Sequence, residues 1–161
     1  MTVSELNALE GGQAQKALLE CCGSSRWSQQ MLAQRPFSDA ERLHTAAHDI
    51  WRSLDESDWL EAFACHPKIG ETEPVSHWSS QEQKGMAAAT VDTTDAIARM
   101  NREYQARFGY IFIVCATGKS AAGMRDLLEQ RLKNDPQDEL RLAAAEQMKI
   151  THLRLDKLLQ A

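Results

Sequence analysis

The segment from Ala64 to Gly85, ACHPKIGETEPVSHWSSQEQKG, combines side chains that could transfer protons or bind a polar ligand. A residue before proline is pushed out of helical geometry, so His66, which precedes Pro67, should lie at the end of a helix predicted over Asp58–Cys65. An imidazole can titrate near neutral pH, and the C-terminal end of a helix favours its charged form. His66 is therefore a candidate for proton transfer.

Glu82 has two interpretations. In Ser79-x-x-Glu82 the serine oxygen can accept from the Glu82 backbone N–H while the glutamate reaches back to the serine N–H, which is the capping box of a helix start. Gln83 adds an amide donor and acceptor at the same place, and the free N–H groups of a helix N-terminus can bind a polar or anionic ligand. Glu82 and Gln83 could therefore cap a helix or face a common pocket with His66.

The order of several motifs resembles one enzyme family, OHCU decarboxylase (2-oxo-4-hydroxy-4-carboxy-5-ureidoimidazoline decarboxylase) of the urate-to-allantoin pathway. The motifs are His66-Pro67-Lys68-Ile69-Gly70, Ser79-x-x-Glu82-Gln83-x-Gly85, and Tyr104-x-x-x-Phe108-Gly109-x-x-Phe112 running into Ala116-x-Gly118-x-Ser120. The resemblance extends to Ser25-Arg26-Trp27, Arg35-Pro36-Phe37 and Arg154-Leu155, and so covers nearly the whole chain. A single His-Pro pair would mean little, but this ordered set is specific.

The resemblance implies a carboxy-lyase that forms (S)-allantoin without a metal or organic cofactor. Its substrate carries a hydroxyl and a carboxylate on one ring carbon, next to a ring carbon with a C=N bond, so the substrate accepts its own electrons when CO2 leaves. The resemblance implies that His66 and Glu82 are catalytic and that the protein is a homodimer. The implied substrate-binding residues are Pro67, Ser79, Gln83, Ile111, Phe112, Ile113, Val114 and Arg154.

The composition is that of an ordinary globular protein. The 161 residues, 43% of them hydrophobic and 25% charged, are expected to form one domain over residues 1–161. The net charge of −5 argues against nucleic acid or an anionic membrane as the main partner, so a small-molecule substrate is expected. An anionic ligand would need local positive charge, for which Lys68, Arg154 and protonated His66 are candidates.

The cysteines and the chain ends favour a bacterial cytoplasmic enzyme. The four cysteines form no CxxC pair, and there is neither a secretory signal nor an apolar run of membrane-spanning length. The C-terminal residues are not a peroxisomal signal. Some members of the family are fused to the preceding hydrolase of the pathway, and a chain of this length is expected to act as a separate polypeptide.

Apolar periodicity and capping residues predict about eight helices in an all-α fold without a paired β-sheet. A short first segment, Ser4–Leu9, is followed by predicted helices over Gln13–Cys22, over Arg26–Gln34 after a Ser25 cap, after the Ser38-x-x-Glu41 capping box, and over Asp58–Cys65. The later helices are predicted from Glu82 through Met86–Thr90, from Thr94 or Asp95 to Gly109, over Ala121–Lys133 after a Ser120 cap, and over Pro136–Leu159 after an Asp135 cap.

Tyr110–Ala116, YIFIVCA, has strand propensity but no visible strand to pair with. Unpaired backbone groups are costly when buried, so the segment is expected to be either extended backbone that binds a ligand or a buried helical turn. The resemblance favours the first alternative, with Ile111–Val114 forming a wall of the substrate site.

Other chemistry is less well supported by the residues. His44 and His48 have the spacing of a helical metal pair, but no third ligand is evident. Gly118-Lys119-Ser120 resembles the end of a phosphate-binding loop, yet Ile113 stands where that loop needs glycine. Arg154 lies at the edge of an apolar stripe, where snorkelling or an ion pair competes with ligand binding. The alternative class is a non-enzymatic helical interaction domain.

Overall fold

The computed structural model describes residues 1–66 and 91–160, and these residues form α-helices and connecting segments without a β-strand. The helices of this part are α1 (Val3–Ala8), α2 (Gly11–Cys21), α3 (Ser25–Ala33), α4 (Ala40–Ser53), α5 (Glu56–Phe63), α6 (Val91–Phe108), α7 (Ala121–Arg131) and α8 (Pro136–Gln160). The predicted all-α class is confirmed. Within the same residues no helix is long and apolar enough to cross a bilayer.

Local capping chemistry sets several of these boundaries as predicted. The Ser120 hydroxyl accepts from the Gly123 N–H at 3.1 Å and starts α7. The Asp135 carboxylate accepts from the Gln137 N–H at 3.1 Å, with Pro136 as the first residue of α8. Gly109 follows α6 with a φ of +87°, a backbone conformation that glycine adopts without steric cost.

Two predicted N-caps are wrong by one residue. Ser24, and not Ser25, caps α3, because its hydroxyl accepts from the Trp27 N–H at 3.2 Å. Asp39 caps α4 by accepting from the Arg42 N–H at 2.7 Å, and it replaces the predicted capping box that began at Ser38. In both cases neighbouring polar residues could cap equally well, so the sequence alone does not choose between them. Helix α6 is also already formed at Val91, before the predicted start.

The described chain divides into two compact units. The first comprises residues 1–62 and 147–161. Helices α2, α3 and α4 pack on one another in this unit, and the fully buried Trp27 donates its indole N–H to the Ala47 carbonyl at 3.1 Å. Trp27 is therefore a core residue whose single polar group is satisfied.

The second unit comprises residues 63–146. Helices α6 and α7 pack on each other, and their apolar faces enclose residues of the segment between them. The buried cluster consists of Ile97, Met100, Tyr104, Phe112, Val114, Ala116, Ala121, Met124 and Leu128. This core holds the connection between α6 and α7 in place, although that connection has no regular secondary structure.

Histidines from α4 and α8 meet in the first unit. His44 Nδ1 lies 2.7 Å from His152 Nδ1, and His44 Nε2 lies 2.8 Å from a carboxylate oxygen of Asp156. The His48 ring stacks on His152 with centroids 6.1 Å apart. No group of three or more possible ligands among residues 1–66 and 91–160 is arranged to hold a metal ion. The cluster is therefore a hydrogen-bonded array in which one Nδ1 atom donates the hydrogen bond and the other Nδ1 atom accepts it.

This array predicts a loss of stability at acidic pH. Burial, and then the neighbouring His44 and His48, lower the pKa of His152 below its ordinary value of 6.5, while Asp156 opposes that shift. The unfolded chain therefore binds a proton at His152 before the folded chain does, so stability is complete above pH 6.5 and falls as pH drops through and below that value. The melting temperature of the wild type should fall between pH 7.5 and 5.5 more than that of His152→Gln. Equal falls in both proteins would contradict this role.

Candidate active site

His66 lies just beyond the C-terminal end of α5. The helix ends at Phe63, two residues before the predicted boundary, and the His66 N–H donates to the Phe63 carbonyl at 3.2 Å in the turn that follows. His66 is half-buried. The prediction that His66 lies at a helix end is confirmed.

Four of the predicted site residues lie outside the described residues. They are Pro67, Ser79, Glu82 and Gln83. The choice between helix capping and catalysis for Glu82 therefore stays a prediction.

The connection between α6 and α7 has no regular secondary structure, so the predicted alternative of a buried helical turn is wrong, and the alternative of ligand-binding backbone stays a prediction. Residues 111–116 form neither a helical turn nor a strand; Ile111 is half-buried, and Phe112, Ile113 and Val114 are buried. The backbone groups of this segment are bound by side chains from elsewhere in the second unit. Arg131 donates to the Ile113 carbonyl, and the Cys115 N–H donates to the Glu146 carboxylate at 3.1 Å. In the part of the chain that the structure describes, side chains thus bind backbone groups that a neighbouring strand would bind in a sheet.

The turn after this segment explains Gly118-Lys119-Ser120. Gly118 has a φ of +78°, and the Lys119 ammonium turns back to donate to the Cys115 carbonyl at 2.6 Å. The Lys119 N–H donates to the Ala116 carbonyl at 3.0 Å, and Ser120 caps α7. All three residues therefore have roles in the turn and the helix start, and nucleotide binding is not needed to explain them.

A buried ion pair lies next to the 111–116 segment. Arg131 Nη2 and Nε donate to Glu139 Oε2 at 2.6 and 2.9 Å, and the two side chains are only 5% and 0% exposed. Tyr104 also donates its hydroxyl to Glu139, and Asn134 Nδ2 donates at 3.1 Å. Burial, and then the bond to Glu139, raise the pKa of Tyr104 far above its ordinary value, so the phenol keeps its proton and acts as a donor.

Aromatic contacts connect this ion pair to the helix end before His66. The Phe63 ring, on the last residue of α5, lies 5.3 Å from that of Tyr110 between centroids. Tyr104 lies 5.8 Å from Tyr110 and 5.5 Å from Phe112, both edge to face. The Arg131 guanidinium lies over the ring of Phe112, 4.6 Å from the ring centroid. The second unit therefore brings together the start of the predicted substrate wall and the helix end that precedes His66.

Arg154 lies on α8 in the first unit and is buried, with 6% exposure. One of its guanidinium nitrogens is 3.5 Å from the Glu20 carbonyl near the end of α2. The neighbouring Cys21 thiol has a raised pKa because it is buried, and the positive charge of Arg154 partly opposes that rise. Arg154 is thus a buried cation, whereas a snorkelling arginine would keep its charge in water.

Sequence reasoning missed three buried charged residues. Arg131 and Glu146 bind the backbone of the 111–116 segment, and Glu139 pairs with Arg131. A signal for two of them was available. Glu139, Ala143, Glu146 and Ile150 follow helical spacing along α8, and all four are buried. A carboxylate on the apolar face of a helix indicates a buried polar partner, because an unpaired buried charge is very costly.

Comparisons with known proteins agree with the family that the motifs resemble. The family model of OHCU decarboxylase matches residues 7–156. The chain is 41% identical over 146 residues to the uric acid degradation bifunctional protein TTL of Arabidopsis thaliana, covering 86% of this chain and 45% of that protein. It therefore spans less than half the length of that relative. It is 33% identical over 135 residues to the 2-oxo-4-hydroxy-4-carboxy-5-ureidoimidazoline decarboxylase of Mus musculus, covering 80% of this chain and 76% of that protein.

Solved structures agree at the level of the fold. The crystal structure of an OHCU decarboxylase in the presence of (S)-allantoin superposes with a TM-score of 0.81 at 39% identity, covering 89% of this chain and 96% of that one. An (S)-allantoin synthase structure gives a TM-score of 0.76 at 17% identity, over 98% of this chain and 54% of that one, and shows likeness of fold alone. The family predicted from the ordered motifs is thus confirmed, and this chain belongs to the OHCU decarboxylase family.

Proposed function

We propose that this chain is a carbon–carbon lyase that decarboxylates OHCU to (S)-allantoin in urate degradation, without a cofactor. The observation that carries the proposal is the family match over residues 7–156, supported by the 39% identical OHCU decarboxylase whose structure was solved in the presence of (S)-allantoin.

The reaction requires the protein to orient the substrate and to transfer protons. As the bond to the carboxylate breaks, its electron pair forms a double bond to the neighbouring ring carbon, and the C=N pair moves onto nitrogen, which takes a proton. The hydroxyl then loses its proton to become the product carbonyl, and the neighbouring carbon takes a proton. CO2 and allantoin are the products. Delivery of that last proton to one face gives a single enantiomer.

His66 is the proposed proton-transfer group for the substrate hydroxyl. Its position after a helix end supports this role, because an imidazole there can hold or release a proton near neutral pH. Glu82 would set the charge state of His66 or bind the ureido group. Arg154 would present its planar donors to the anionic side of the substrate.

The remaining proposed contacts surround the ring. Ser79 and Gln83 would bind the ureido and ring amide groups, and Pro67 would cover the ring with an apolar surface. Ile111–Val114 would form a wall, a role supported by the burial of Phe112, Ile113 and Val114 in a segment without regular secondary structure.

A direct assay tests the function. Freshly generated OHCU should be converted to allantoin faster with the protein than without it, and circular dichroism should show the (S) enantiomer. Spontaneous decarboxylation takes a proton on both faces equally and gives no such signal. Equal rates and racemic product in both samples would reject the proposal.

The role of Glu82 can be decided by Glu82→Gln, which preserves the size of the side chain. A catalytic or electrostatic role predicts a loss of kcat/KM of about 10²-fold or more with a nearly unchanged melting temperature. A capping role predicts nearly unchanged activity for Glu82→Gln, because a glutamine oxygen can also accept from the Ser79 N–H. It predicts a destabilisation of roughly 1 kcal/mol for Glu82→Ala, with activity that follows the folded fraction. Thermal melts and steady-state kinetics on the same preparation separate the two.

The proposal extends to a homodimer in the cytoplasm. The dimer rests on the family resemblance, and the cytoplasm on four cysteines that form no CxxC pair in the sequence. A non-enzymatic interaction domain is the alternative, and ligand-induced stabilisation distinguishes it. Allantoin should raise the melting temperature of an OHCU decarboxylase, ATP should not, and an interaction domain should respond to neither.

A further inference from the structure

The ion pair between Arg131 and Glu139 is bonded to the backbone of the 111–116 segment. The guanidinium uses two nitrogens for Glu139 and a third for the Ile113 carbonyl, while its face lies on the Phe112 ring. One planar group therefore fixes two successive residues of the segment in different directions, by a bond in its plane at Ile113 and by stacking at Phe112. Lysine, with a tetrahedral ammonium, cannot do both.

Stability alone is a poor explanation for this arrangement. Removing two charges from water is costly, and apolar side chains of similar volume often stabilise a fold as well as a buried ion pair does. The pair is fully enclosed, and Glu139 accepts additional bonds from Tyr104 and Asn134. What apolar residues could not supply is a donor for the Ile113 carbonyl, which lies in a buried segment with no neighbouring strand among residues 1–66 and 91–160.

The same network reaches the helix end that precedes His66. Tyr104, held by Glu139, packs on both Tyr110 and Phe112, and Tyr110 packs on Phe63. Phe63 in turn accepts the backbone bond from His66. A shift of the 111–116 segment would therefore change the distance between this segment and the His66 imidazole.

We propose that Arg131 and Glu139 are positioning residues of the decarboxylase. They hold the 111–116 segment at a set distance from His66 and act on the substrate only through that segment. This inference rests on the proposed function for its catalytic consequence, whereas the holding of the segment can be measured separately.

The main test replaces the whole polar network with apolar residues, in the variant Tyr104→Phe/Arg131→Met/Glu139→Leu. This change leaves no buried charge unpaired, so the variant should still give a cooperative melting transition. Its kcat should fall about 10- to 100-fold with a smaller change in KM, because a small displacement of positioning groups affects the transition state most. The kcat of Arg131→Lys, which retains the charge, should also fall, so the charge alone should not restore the wild-type rate.

Hydrogen exchange gives a readout that does not depend on turnover. The Cys115 N–H is bonded to Glu146, which neither variant changes, so faster exchange there reports movement of the segment and not loss of its own partner. The expected increase is about tenfold in both variants. The matched control is Arg99→Met/Glu103→Leu, which removes an exposed pair on α6 whose side chains are 65% and 58% exposed, and it should leave kcat and exchange unchanged.

The outcomes separate clearly. Wild-type kcat in the folded triple variant, or slow exchange at Cys115 in both variants, would overturn the positioning role. Full rescue of kcat by Arg131→Lys would also overturn it, because the charge alone would then suffice. If the wild type fails to decarboxylate OHCU, the proposed function and the catalytic consequence fail together, and the exchange rates still decide whether the pair holds the segment.

Discussion

Replacing His66 with asparagine should lower kcat by about 10²- to 10⁴-fold while leaving the melting temperature nearly unchanged. General acid–base catalysis by a positioned side chain accounts for a factor of this size, and asparagine cannot take up or release the proton. The fold should tolerate the change, because His66 lies beyond the end of α5, and the bond that its backbone makes to Phe63 does not depend on the side chain.

The measurement is the initial rate of (S)-allantoin formation by circular dichroism, together with a thermal melt of the same sample. The matched control is His48→Asn, the same substitution at an exposed histidine of α4. That control should retain wild-type kcat. A His66→Asn enzyme with wild-type kcat would remove His66 from the reaction.

Replacing Arg154 with lysine should lower kcat/KM by roughly 10- to 100-fold, mainly through KM. Hydrogen bonds from a charged donor contribute about 1.5–3 kcal/mol each, and lysine loses the parallel pair that a guanidinium offers to a carboxylate. The positive charge near the Glu20 carbonyl is retained, so the first unit should remain folded.

Steady-state kinetics and a thermal melt test this expectation, and Arg26→Lys is the control. Arg26 is 58% exposed in the same unit and lies near Asp58, so its replacement should change neither kcat/KM nor the melting temperature appreciably. If Arg154→Lys lowers the melting temperature as steeply as the activity, the arginine is structural. If it changes neither, the proposed contact with substrate is wrong.

Local chemistry accounts for what was predictable in the fold. The Ser120 cap, the Asp135-Pro136 start and the Gly109 stop each depend on residues within one helical turn, and each is observed as predicted. The misplaced caps at Ser25 and Ser38 show the limit of such signals. Adjacent Ser24 and Asp39 have equivalent capping oxygens, and packing of the whole helix decides between neighbours.

The 111–116 segment shows what local propensity could not resolve. Its β-branched and aromatic residues fit a strand, yet its backbone partners include Arg131 and Glu146, 18 and 31 residues further along the chain. Propensity describes fit to a half-buried surface and says nothing about which distant donors are available. The sequence predicted that this segment has no paired strand, but it did not predict the side chains that bind its backbone.

The amino-acid sequence by itself determined the family, the helical class, several helix ends and the position of His66 after a helix, because motifs and caps act over a few residues. Only the tertiary structure decided that Arg131, Glu139 and Tyr104 form one buried network and that His152 meets His44. Tyr104 is 35 residues from Glu139 along the chain, and His44 is 108 residues from His152. Which of them become neighbours depends on how whole helix faces pack, since a buried charge is tolerated only where packing supplies its partner.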